Sequence, residues 1–80
     1  MKISAIKKLV ENQTLEALMA AEAAIVDEQA LAIEVEGEDE GEQLTHVLAA
    51  VWILNHMQDH QADFKTALRE YTKKVRVSIS

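Results

Sequence analysis

The sequence predicts a mainly α, four-helix compact domain with one short extended β segment near residues 31–36. Three observations carry that expectation. Apolar residues recur at i, i+3, i+4 and i+7 in several stretches, the pattern of a helix with one buried stripe. Proline is absent, and the two glycines, Gly37 and Gly41, fall together, so helix breakers are confined to one short region. With 80 residues the chain has room for one domain, 1–80, because independent domains run about 50–200 residues.

The elements follow in order. Ile3, Ile6, Leu9 and Val10 share one helical face, with Lys7, Lys8 and Glu11 turned away, so a short amphipathic helix spans 3–12 and fades at Asn12-Gln13. Thr14 offers a hydroxyl to the free amides of the next helix, 15–28. Glu16 complements the positive end of that helix, and its alanines favour helix strongly. Leu31, Ile33 and Val35 alternate with Ala32, Glu34 and Glu36, the period of a half-buried strand. Such a strand needs a hydrogen-bonding partner, either the alternating tail 75–80 or its twin in a second copy. The tail also continues the stripe of the last helix, so helix is expected there and pairing between copies for the strand. A third helix covers 42–60. The fourth, 63–77, places Phe64, Ala67, Leu68, Tyr71 and Val75 on one stripe, and Asp63 can cap its start.

The third helix sets the functional expectation. Its run Val47 to Leu54 is apolar in every direction around the axis, so it must be wrapped by its own chain or covered by another copy. A chain this short buries only about 60% of the surface its unfolded form exposes, which leaves little to wrap with. A homodimer is therefore expected, with Val47, Val51, Trp52, Leu54, Ile33 and Val35 at its interface.

Charge excludes some functions and suggests others. Fourteen acids against eight bases give a net charge of −6, the wrong sign for a general nucleic-acid binder. Six acids and no base crowd into residues 30–42, and the segment 36–42 reads as a solvated loop leading Glu42 into the first turn of the third helix. It lacks the glycine and glutamate positions of an EF-hand loop. Lys65, Arg69, Lys73 and Arg76 form a basic stripe without interleaved aromatics, which disfavours base stacking. Its expected partner is the acidic segment, in the same chain or its mate, or another protein meeting either patch. With no cysteine, disulfides, thiolate ligands and cysteine nucleophiles are excluded. The longest apolar run is far short of the ~20 residues that span a bilayer. Met1-Lys2-Ile3-Ser4 lacks the features of a signal peptide, so a cytoplasmic location is expected.

Few residues offer chemistry. His56 and His60 lie four apart on one helix face, as two imidazoles sharing a metal must, and His46 falls roughly on the same side. Asp59 and Asp63 could add oxygens, but Met57 stands where metalloprotease helices place glutamate. The plain alternative is that both histidines are exposed near a helix C-terminus, whose dipole favours positive charge. Glu22 sits among Leu15, Leu18, Met19, Ile25 and Val26, where a carboxylate is desolvated unless paired with Lys7, Arg69 or the Trp52 indole. No second catalytic group falls beside it, no phosphate-binding glycine loop exists, and no serine lies in a nucleophile elbow. The expected role is a non-enzymatic protein-interaction module without cofactor. Its rival is a small-molecule or divalent-metal-binding protein using His46, His56, His60 and nearby acids.

The stretches Ala32-Ile33-Glu34-Val35-Glu36-Gly37-Glu38-Asp39-Glu40-Gly41-Glu42-Gln43-Leu44-Thr45-His46 and Asp63-Phe64-Lys65-Thr66-Ala67-Leu68-Arg69 resemble a small family of uncharacterised bacterial proteins of about 80 residues. The resemblance extends from Ile6-Lys7-Lys8-Leu9-Val10 to the end of the chain. It implies a compact bacterial domain and assigns no activity, cofactor or site residue.

Overall fold

A computed structural model describes the backbone of residues 2–79 and the side chains of residues 2–75. Four helices follow one another: α1 (Ile3–Asn12), α2 (Leu15–Val26), α3 (Glu40–His60) and α4 (Phe64–Ile79). Each start has a local cause. The Thr14 hydroxyl accepts the Ala17 N–H at 3.1 Å and opens α2. Asp39 Oδ1 accepts the Glu42 N–H at 2.8 Å, so α3 begins two residues earlier than the hydrophobic pattern indicates, with Glu40 and Glu42 at its positive end. Asp63 Oδ1 does the same for α4 through the Thr66 N–H, also at 2.8 Å. Gln61, left-handed at φ 51°, ends α3. α2 stops at Val26, short of the expected Glu28, where the backbone of Glu28 itself turns left-handed at φ 56°. The tail is helical through Ile79.

α3 is the hub. The other three helices pack against it rather than extensively on one another. Its Val47, Ala49, Ala50 and Ile53 have no solvent exposure, and they meet Ile6, Leu9 and Val10 of α1, Leu18, Ala21 and Ile25 of α2 and Ala67 of α4 in one core. The Cα extents are 31 × 28 × 19 Å. The exposed positions Thr45, Leu48 and Asn55 lie on one side of α3, opposite the buried His46, Ala50 and Ile53.

The extended segment corrects the expectation of a strand. No strand forms among the described residues, and residues 31–36 pair with neither the tail nor another strand. The alternation itself is real: Leu31 and Ile33 are half-buried and Val35 is buried, while Ala32, Glu34 and Glu36 are exposed. What replaces the ladder is α3. Gln43 Nε2 donates to the Val35 carbonyl at 3.0 Å, and His46 Nδ1 to the Glu36 carbonyl at 2.7 Å. Side chains thus take the part a neighbouring strand plays elsewhere.

Gly37 makes that docking possible. Its φ of +157° disfavours L residues, and a Cβ there would lie 2.7 Å from Gln43 Cγ and 2.8 Å from the Gln43 backbone nitrogen. Gly37→Ala is therefore expected to lower unfolding stability by roughly 1–3 kcal/mol in urea titration, whereas an unchanged midpoint contradicts the close approach.

The cap of α4 carries a pH dependence. Hydrogen bonds from the Thr66 hydroxyl and then its backbone N–H hold the Asp63 carboxyl below its ordinary value. Because the folded state favours the ionised form, the contribution is full above the ordinary carboxylate range and is lost as pH falls through the lowered value. Asp63→Ala should lower the melting temperature at neutral pH, with the difference from wild type narrowing in acid.

Candidate functional site

α3 supplies the polar groups that the fold gathers, and they fall into an inner and an outer set. The inner set centres on His46, which is fully buried. Its Nε2 accepts the Lys2 backbone N–H at 2.9 Å while its Nδ1 donates to Glu36. A backbone N–H can only donate and a carbonyl can only accept, so these partners fix the neutral Nδ1–H tautomer. Lys2 is the N-cap residue of α1 and has no side-chain cap of its own. His46 thus reaches from another helix to a group that a capping-box glutamate commonly serves. With both nitrogens occupied by backbone, His46 is withdrawn from the metal set expected from sequence.

The outer set is a column of rings. Trp52 and His56 stack with centroids 4.9 Å apart at an interplanar angle of 13°. His56 and His60 follow at 4.4 Å and 34°. Tyr71 of α4 closes on Trp52 at 5.6 Å. The spacing of four residues puts the three α3 rings one above another along the helix. Asn55 and Asp59 line a shallow depression beside them. Among the described residues, no three or more His, Cys, Asp or Glu side chains converge to hold a metal ion.

The remaining expected residues are dispersed. Val47 and Val35 are buried within the chain, while Ile33, Val51, Trp52 and Leu54 are half-buried. Glu22 is half-buried on the flank of α2, and among the described residues no hydrogen bond or ion pair joins it to Lys7, Arg69 or Trp52. Lys65, Arg69 and Lys73 are exposed, and the side chain of Arg76 lies outside the described residues. Among the described residues these three make no ion pair with the acids of 34–42. Glu36 instead meets Lys8 of α1 at 3.7 Å. Both partners are largely exposed, so this pair contributes little, on the order of 0–1 kcal/mol. It rims a groove of about 180 Å³ floored by Ala5 and Leu9 between α1 and residues 34–36.

Sequence reasoning assigned His46 a ligand's place and overlooked Gln43 and Gly37. For His46 the signal was present. Its i+3, i+4 and i+7 partners are Ala49, Ala50 and Ile53, the buried stripe of α3. For Gln43 and Gly37 no local signal exists, because their roles depend on where the segment before α3 lies.

Fold and side-chain placement define a small all-α protein organised by its third helix, with its one fully buried histidine engaged in structure. The whole chain, residues 1–80, matches a family of unknown function (DUF6952), and it belongs to that family. No curated protein and no solved structure gives a significant match. Among the described residues, no helix is long and apolar enough to cross a membrane.

His46→Ala removes two hydrogen bonds and opens a cavity at the centre of the chain. A loss of about 2–5 kcal/mol is expected in chemical denaturation. A loss under about 1 kcal/mol, within the range of a surface change, contradicts the bridging role.

Proposed function

We propose that the chain is a non-enzymatic protein-interaction module that works as a homodimer through the outward flank of α3. The observation that carries this reading is Leu48, which is 42% exposed midway along a helix that already has three others packed on it. Leu44 and Val51, four before and three after, are half-buried on the same flank, so an apolar stripe runs along about two turns. Trp52, half-buried one turn after Leu48, is a further contributor from α3, while Leu54, also half-buried, falls toward the side of the buried Val47 and Ala50. Val47, by contrast, has no exposed surface to contribute.

A second copy is the occupant that the exposure pattern favours. Its own chain leaves the Leu48 side of α3 open, and a two-fold pairing of α3 with α3 closes that side for both chains. The stripe then becomes core, at about 25 cal/mol per Å² of apolar surface removed from water. Lys65, Arg69 and Lys73, exposed on α4, and Glu38, exposed in the acidic segment, add orientation between copies.

Light scattering coupled to size exclusion at micromolar concentration should return twice the 8.9 kDa of the chain. Leu48→Glu should return the single chain with its helical circular dichroism intact. A wild-type mass of one chain across the concentration range removes the proposal.

A further inference from the structure

The geometry points to a two-imidazole site for a borderline divalent cation, Cu²⁺, Ni²⁺ or Zn²⁺, at His56 and His60 on the outer face of α3. It is independent of the self-association reading. The two histidines differ from His46 in the feature that matters for a ligand. Both His46 nitrogens are taken by backbone, whereas among the described residues no protein group is hydrogen-bonded to His56 or His60. The second pair is therefore available to an ion without breaking any bond within the fold.

The ring spacing agrees. A metal–nitrogen bond of ~2.0–2.1 Å places the ion ~3.2 Å from each ring centre, so two imidazoles in adjacent coordination positions have centres ~4.5–5 Å apart. The His56 and His60 rings are 4.4 Å apart and tilted by 34°, so the spacing already suits a shared ion, and a turn of the exposed His60 ring brings an in-plane nitrogen toward it. His56 is stacked on Trp52 at 4.9 Å, so one ligand is already restricted in rotation before an ion arrives. His60 is exposed and free to turn.

The field at this place favours a cation. His60 lies in the last turn of α3, where unpaired carbonyls carry the negative end of the helix dipole. Asp59 and Asn55 line the same depression. No third protein ligand converges among the described residues, so water completes the coordination and the site is open. Imidazole donors without thiolate select copper, nickel and zinc over magnesium and calcium, with copper bound most tightly.

Trp52 supplies the readout, because a paramagnetic ion beside its stacked partner quenches indole fluorescence. Titrating wild-type protein with CuCl₂ should give saturable quenching at micromolar concentration with one ion per chain, reversed by EDTA, while MgCl₂ has no effect. His60→Ala, which keeps the Trp52–His56 stack, should weaken the apparent affinity at least about tenfold, and His56→Ala likewise. Isothermal titration with ZnCl₂ repeats the comparison without depending on fluorescence. Circular dichroism checks that each variant is folded. The inference is overturned if wild type does not saturate below millimolar copper and zinc, or if the folded variants bind as wild type does.

Discussion

One imidazole joins three parts of the chain that local structure leaves apart. The N-terminal cap of α1 has an amide with no local acceptor, the segment before α3 has a carbonyl with no strand beside it, and His46 takes both. The ring does this without any exposure to solvent, where an unmade hydrogen bond costs more than a made one gains. The consequence is a fixed relation between residue 2, residue 36 and the middle of α3. Gln43, one turn earlier, holds the neighbouring carbonyl, and Gly37 provides the space for Gln43 to approach. Removing any one of the three loosens a single connected arrangement, so their effects should not add independently.

α3 serves two purposes along one length. Its inner stripe is small and tightly packed, with Ala49 and Ala50 letting neighbouring helices approach closely. Its outer flank is apolar in the middle and aromatic toward the C-terminus. The two outer regions differ chemically: around Leu48 the surface is aliphatic, while from Trp52 to His60 it is a column of rings with polar edges. An aliphatic flank suits packing against another apolar surface, and a column of unbonded imidazoles suits a ligand with a positive charge. The proposals assigned to these regions rest on different observations and meet only at Trp52.

The acids between residues 34 and 42 illustrate how a charge run divides its labour. Asp39 is a helix cap, Glu40 and Glu42 sit at the positive end of α3, and Glu36 meets Lys8. These roles are structural, and they explain why α3 starts firmly despite a glycine in its first turn. Family membership adds no activity to this picture, since the family itself is of unknown function.

The sequence by itself determined the four helices, the Thr14 and Asp63 caps, the helical tail and the inward alternation of Leu31, Ile33 and Val35. All of these follow from residues within about a turn of one another, where spacing and hydrogen-bonding reach are fixed by backbone geometry. Only the tertiary structure decided that the alternating segment is held by Gln43 and His46 instead of by a strand. It also decided that His46 binds backbone instead of a metal, and that Leu48 is the exposed member of an all-apolar run. A helix apolar on every side carries no local mark of which face its neighbours will cover. Nor does a histidine carry a mark of which backbone groups, one of them 44 residues away, will arrive beside its ring.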